Sequence, residues 1–429
     1  MPTTLADWLT YLESLHPKAI ALGLERVAQV KQRLQLEPDF PVIVVGGTNG
    51  KGSVCAMLES ILHAAGYRIG CYTSPHLLHY NERVRIAKLQ ANDKELCASF
   101  ENIERVRGAA FSNTPEVQLT YFEFGTLAAM QCFIEHKVDA AILEVGLGGR
   151  LDAVNVFDSD CAVISSVDID HTDYLGETRE QIAFEKAGIF RKGRVAICAD
   201  SEVPLAICTQ AQQIGAELWC IGSEFNFTSH QGQWDYRSRL SVRNALPYPA
   251  LRGEFQLHNA SAALAALDAL KDRLPVSMEA VRRGLNEVQL AGRFQCVPGK
   301  PTLVMDVAHN PHAARSLAQN LASLPSCPHT YAVFAMLKDK DMAGVVAALD
   351  ANIDTWLVSG IDTVRGATAP ELEHVLQQSR VRGEILAFSN IAEALSYAYN
   401  AAGENDRIAA FGSFHTVAEV MSSTGLQVA

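Results

Sequence analysis

The segment Phe40-PVIVVGGTNGKGS-Val54 constrains the fold more than any other stretch of this 429-residue chain. Residues 42–45 form a short, continuous β-branched run, which suits a strand buried on both faces of a parallel sheet. Glycines 46, 47, 50 and 52 interrupt it, and helical spacing follows over residues 54–65. The order strand, glycine loop, helix recurs. Further strands are expected at 68–72, 140–145, 161–167 and 195–198, with helices at 121–135 and 204–214. Such alternation implies a mostly parallel sheet with helices on its faces. The polar, turn-rich stretch 222–249 reads as antiparallel strands, and helices follow at 256–270 and 278–288. A second α/β series begins after Gly292-Arg293, with strands expected at 302–306, 330–334, 355–358, 384–388 and 407–411. The expected fold class is α/β: an N-terminal P-loop ATPase-like domain over 1–295 and a C-terminal Rossmann-like domain over 296–429. The turn-forming PGKP at 298–301 lies at the join.

Charge narrows the partners. With 36 Lys+Arg against 48 Asp+Glu, the net charge of −12 counts against nucleic-acid binding, which needs a basic face. It leaves room for a local basic pocket that takes an anionic small molecule. No apolar run approaches the ~20 residues that span a bilayer, so no membrane association is expected. The start, MPTTLADWLTYLESLHP, lacks a basic region followed by an apolar core, so no signal peptide is expected either. Ten cysteines are scattered singly without a CxxC pair, which points to reduced thiols in a cytoplasm.

Gly47-Thr-Asn-Gly-Lys-Gly-Ser53 has the mechanics of a phosphate cradle. Gly50 and Gly52 let backbone N–H groups converge on phosphate oxygens, and the loop feeds a helix N-terminus that favours an anion. Lys51 is placed to reach the outer phosphates, and the Ser53 hydroxyl to meet Mg²⁺. The pattern departs from GxxxxGK[ST], because Gly52 separates Lys51 from Ser53 and residue 45 is valine. The plainer reading is a glycine-rich turn with an exposed lysine. Lysine and serine together at a strand-to-helix junction favour the phosphate.

Here the chain resembles the Mur-ligase-like ATP-dependent amide ligases, and more narrowly the folylpolyglutamate synthase/dihydrofolate synthase group. The resemblance runs through LGLERV (22–27), GTNGKGS (47–53), TSPHLLHYNERVRI (73–86), LTYFEFGTLAA (119–129) and LEVGLGGRLDAVN (143–155). It continues through SSVDIDHTDYLG (165–176), FEKAGIF (184–190), GRFQ (292–295), DVAHNPHA (306–313) and FGSFHTV (411–417). It implies ATP as co-substrate and two Mg²⁺ sites formed by Ser53, Ser74, Glu144 and His171. Strand-end positions for Glu144 and His171 agree with it, since ligands of open α/β sheets bind at that edge. For His171 a plain packed imidazole is the alternative, and Asp168 and Asp170 are candidates to orient the ring. Lys186 is implied to carry a carbamate, whereas sequence chemistry alone reads it as a helix lysine paired with Glu185 or Glu180.

The same resemblance makes Asn259 the adenine-reading residue, and Arg293 and Asp306 the contacts to phosphate and ribose, with His309 and Asn310 near the nucleotide or acyl phosphate. It implies that the second domain closes over ATP held by the first. Leu22, Gly23, Leu24, Glu25, Thr120, Tyr121, Phe122, Glu123, Leu151 and Asp152 match segments that contact dihydropteroate, with His76 and Arg83 at the border. Tyr121 and Phe122 read equally well as core aromatics. Lys338, Asp339 and Lys340 are either glutamate contacts or a solvated charge run. Val307 and Ala335 stand where glycine is common in the family.

The implied reaction is ligation of L-glutamate to 7,8-dihydropteroate and to tetrahydrofolates through an acyl phosphate, by a monomer. Lys51, Lys186 and His171 are its candidate catalytic groups. Rival readings are a folylpolyglutamate synthase alone, a cell-wall Mur ligase, and a nucleotide-gated binding protein without ligation chemistry. Against the cell-wall enzyme, only about 40 residues precede the glycine loop, too few for a UDP-sugar domain.

Overall fold

The computed structural model describes residues 2–16, 20–108, 116–253 and 255–428. They divide into two compact units, Met1–Ala250 with Leu257–Val288, and Leu251–Gln256 with Gln289–Ala429.

The first unit is organised by an eight-stranded sheet of β1 (Val42–Gly46), β2 (Ile69–Tyr72), β3 (Val84–Ile86), β4 (Leu89–Gln90), β5 (Ala140–Glu144), β6 (Cys161–Ile164), β7 (Val195–Cys198) and β8 (Glu217–Cys220). Their spatial order is β4-β3-β2-β5-β1-β6-β7-β8, parallel except for β3 and β4 at one edge. β1 lies at the centre and is buried at every residue, as its β-branched run requires. Register then decides where chemistry collects. Val45 pairs with Glu144 and Gly46 with Ile164, so β1, β5 and β6 end together and their loops share one edge. A three-stranded antiparallel sheet of β9 (Phe225–His230), β10 (Gln233–Ser238) and β11 (Val242–Leu246) matches the expected departure from the α/β pattern.

The second unit has a six-stranded sheet of β12 (Gln295–Val297), β13 (Thr302–Asp306), β14 (Thr330–Phe334), β15 (Thr355–Ser359), β16 (Glu384–Phe388) and β17 (Arg407–Phe411). Its order is β12-β13-β17-β14-β15-β16, parallel apart from β12. Phe334, Trp356 and Phe411 meet edge-on or tilted in its core. No helix among the described residues is long and apolar enough to cross a membrane.

Two local differences from the sequence reading matter for the site. The strand expected over 161–167 stops at Ile164, because the groups of 165–168 bond the glycine loop instead. The short β3 and β4 were not anticipated, and β3 carries Arg85 into the interior.

Candidate active site

The glycine loop is held from both sides by close approaches that only glycine permits. Gly50 has φ of +85°, and a Cβ there would lie 2.5 Å from the Asn259 side-chain oxygen. Asn259, buried on the helix Gln256–Ala269, therefore packs directly on the loop. On the other side the Thr48 N–H donates to the Ser166 carbonyl at 2.8 Å, and Ser165 Oγ donates to the Asn49 carbonyl at 2.6 Å. Thr48 Oγ1 accepts from the Asp168 N–H and donates to the Asp168 carbonyl, each at 3.0 Å. Lys51 folds back over this frame, its Nζ donating to the Gly47 and Thr48 carbonyls at 3.1 and 3.3 Å. Ser53 is buried in the first turn of the helix Lys51–Ala64.

Glu144 is buried at the end of β5, and one of its carboxylate oxygens accepts from the Ser74 N–H at 3.0 Å. Burial, followed by the negative charge of Glu144, pushes the Cys55 thiol well up, which sets the carboxylate beside the first turns of the phosphate-loop helix. Glu144 is thus tied to the Ser74 segment on one side and lies beside the helix whose first turn carries Ser53 on the other. Among the described residues there is no group of three or more His, Cys, Asp and Glu able to hold a metal alone. The expected donor set of Ser53, Ser74, Glu144 and His171 is mostly oxygen, and Mg²⁺ takes a few oxygen ligands and fills its shell with water and substrate phosphate. His171 has φ of +53°, uncommon for a side-chain-bearing residue and a frequent mark of functional positions. Its carbonyl accepts from the Tyr174 and Leu175 N–H groups, which fixes the turn. Of the two candidate orienting acids, Asp170 stands 4.0 Å from the ring nitrogen, Oδ1 to His171 Nε2, and the Asp168 carboxylate accepts from the Ile169 N–H.

Lys186 is 3% exposed, and the carboxylates expected to pair with it are used elsewhere. Glu185 pairs with Arg150 at 2.8 Å, and Glu180 accepts from the Leu205 and Ala206 N–H groups. The helix expected at Lys186 is present, but its pairing with Glu185 or Glu180 is corrected: the helix Arg179–Ala187 turns Lys186 inward. Burial, then repulsion from Lys51, lowers its pKa to about 7 against the pull of Asp170 and Asp152. Asp152 is likewise buried and raised to about 7 by desolvation, although the Leu147, Val154 and Gly146 N–H groups and Lys51 oppose the rise. Lys51, Lys186, Asp152 and Asp170 form one charged cluster.

Asp152 also faces the other half of the site. It accepts from the Leu147 N–H at 2.8 Å, and neighbouring Gly146 lies so close to the Phe122 ring that a Cβ would stand 2.8 Å from it. The Gly23 N–H donates to the Leu151 carbonyl, and Arg26 pairs with Glu123 at 3.0 Å. Three segments distant in sequence, 22–26, 120–123 and 146–152, therefore meet. Their side chains differ in what they offer. Tyr121 and Phe122 are half-buried rings, whereas Thr120 and Glu123 cap the helix Tyr121–Glu135 reciprocally and are buried. Arg83 donates to His76 Nδ1 at 2.8 Å and lies 5.4 Å from the ring centroids of Tyr80 and Tyr121. Tyr80 escaped the sequence reading, which carried no signal beyond its place between His76 and Arg83.

In the second unit, Asp306 ends β13 and accepts from the Phe294 and Ala308 N–H groups, both at 2.8 Å. Desolvation raises its pKa and Arg293 opposes the rise, so guanidinium and carboxylate are neighbours. Arg293 lies 5.3 Å from the centroid of Phe414, and His309 6.2 Å from it, so Phe414 joins the three predicted residues. Its position in FGSFHTV was the only sequence signal. Asn310 caps the helix Pro311–Ser323. Asp339 is taken by Arg365, an exposed pair within the charged run. Val307 and Ala335 are fully buried, and the Val307 N–H donates to the Gly292 carbonyl.

A phosphate loop on a parallel sheet, followed by a second α/β unit, is an arrangement that Mur-type ligases share, and the chain belongs to that class. The Mur ligase middle domain matches residues 45–267, and the Mur ligase glutamate ligase domain matches 292–414. Within that class, the chain belongs to the dihydrofolate synthase/folylpolyglutamate synthase family. It is 45% identical to the dihydrofolate synthase/folylpolyglutamate synthase of Escherichia coli, over 97% of this chain and 94% of that protein. The E. coli FolC structure in complex with DHPP and ADP aligns with a TM-score of 0.93 at 44% identity, covering 99% of both chains. A bifunctional enzyme structure with Mn, AMPPNP and L-glutamate bound aligns at 0.90 and 44%, over 99% of this chain and 98% of that one.

Proposed function

We propose that this protein uses ATP to join L-glutamate to dihydropteroate, forming dihydrofolate, and to tetrahydrofolates, extending their glutamate tail. The observation that carries this is Asp152: it belongs to the Lys51–Lys186 cluster and also holds the 146–147 turn that packs on Phe122. Phosphate and pterin sides thus share a residue. The ligands in the similar enzymes, ADP with DHPP and AMPPNP with Mn and L-glutamate, are those this reaction needs.

The chemistry follows from charge. The backbone N–H groups of the loop and Lys51 bind and orient the outer phosphates, drawing charge from the transferred phosphoryl group. A folate carboxylate attacks that group, giving an acyl phosphate and ADP. The α-amine of glutamate attacks the acyl carbon and phosphate departs. Ser53, Ser74, Glu144 and His171 would hold divalent cations, which offset phosphate charge when bound. Phe122, Tyr121 and the 22–25 segment line the flat acceptor side, with Asp152 as polar anchor. Arg293, just before the domain 296–429, and Asp306 and His309 within that domain serve as nucleotide or acyl-phosphate contacts, and Asn259 in the domain 1–295 serves as the adenine contact.

Lys186 serves as a carbamate. Its neutral amine attacks CO₂, an N–C bond forms and one amine proton leaves to solvent, so the buried amine becomes an anion near Lys51 and Asp170. The low pKa of Lys186 supports this, because only the neutral amine reacts. The scattered spacing of ten cysteines supports work in a reducing cytoplasm. Incubation with ATP, Mg²⁺, L-glutamate and 7,8-dihydropteroate should yield phosphate and dihydrofolate in equal amounts. Turnover with tetrahydrofolate but none with dihydropteroate would leave a folylpolyglutamate synthase alone.

A further inference from the structure

The guanidinium of Arg85 stands between the phosphate-loop helix and the strand exit that carries Ser74. Its Nε and Nη2 fork onto the Glu59 carboxylate at 3.1 and 2.9 Å. Its Nη1 donates to Thr73 Oγ1 at 3.0 Å and to the Glu82 carbonyl at 2.8 Å, and Nη2 also donates to Cys71 Sγ at 3.3 Å. A guanidinium has five N–H donors, so every one is engaged. Glu59 lies in the helix Lys51–Ala64, on the turns beyond Ser53. Thr73 immediately precedes Ser74, whose N–H holds Glu144.

The pair is mostly out of water, with 15% and 6% of the two side chains exposed. Burial works against the charge on Arg85, yet Glu59 more than compensates and its pKa is raised. A buried ion pair seldom adds net stability over apolar residues of the same volume, so its value here is geometric.

We propose that Arg85, anchored on Glu59, is a positioning residue that fixes Ser53 relative to Ser74 and Glu144 and so sets the grip on the nucleotide's divalent cation. This rests on the assignment of those three residues to the cation. Lysine, with its donors on a single nitrogen, cannot span Glu59, Thr73, Glu82 and Cys71 together.

The test is calorimetric titration of AMPPNP into the wild type, Arg85→Lys and Thr73→Val, each with Mn²⁺ and with a chelator. Thr73→Val removes only the link to the Ser74 segment and keeps the Arg85–Glu59 pair, so it guards against a failure of Arg85→Lys to fold. Both variants should keep metal-free affinity within about twofold and lose about tenfold of the tightening that Mn²⁺ gives, as expected when a ligand's support is removed. Equal weakening with and without Mn²⁺, or a Mn²⁺ effect unchanged in both variants, overturns the positioning role. A wild type indifferent to Mn²⁺ overturns the cation assignment itself, and the role of Arg85 with it.

Discussion

Lys186 and Gly50 illustrate how much single residues carry here. With the Lys186 pKa lowered to about 7, the amine is mostly neutral above that pH and protonated below it. The carbamate proposed for Lys186 should therefore fail to form as pH falls through about 7, and phosphate release should fall with it. Added bicarbonate should restore the rate just below that point, and ¹³C-labelled bicarbonate should give a carbamate resonance absent from Lys186→Arg. Full activity of Lys186→Arg would contradict the role. Gly50→Ala puts a Cβ 2.5 Å from the Asn259 oxygen at a φ of +85°. ADP affinity should weaken by about tenfold or more, the scale of a lost charged or bidentate contact, and the thermal midpoint should fall with the roughly 1 kcal/mol or more of strain at this φ. Lys51 and Ser53 were legible because their meaning is local: strand, glycines and helix follow in one run. Burial of Lys186 was not, because Asp152, Asp170 and Lys51 come from three other parts of the chain.

Elements repeat the lesson. The central strand Val42–Gly46 announced itself through its β-branched run, whereas three-residue β3 and two-residue β4 have too little pattern to stand out. The helix Tyr121–Glu135 was legible, but its cap changes the meaning of two residues. Thr120 and Glu123 exchange hydrogen bonds with each other's N–H groups, and Glu123 binds Arg26. Thr120→Ala should therefore lower stability by about 1 kcal/mol in urea unfolding, with Thr120→Ser close to wild type. A dihydropteroate KM that rises in Thr120→Ala without loss of stability would instead mark a direct substrate contact.

At the scale of the molecule, the α/β alternation foretold both sheets and the antiparallel interruption between them. It did not foretell that Leu251–Gln256 packs with the second unit, since a short segment leaving its neighbours has no periodicity of its own. The net charge of −12 counts against a polyanion surface and leaves room for an anion held locally at the glycine loop, where Lys51 stands. The central claim is that ATP activates a folate carboxylate as an acyl phosphate. Dihydropteroate labelled with ¹⁸O in its carboxylate, turned over with ATP and L-glutamate, tests it most directly. One ¹⁸O should appear in the inorganic phosphate for every dihydrofolate formed. Dihydrofolate produced alongside phosphate free of the label would contradict it.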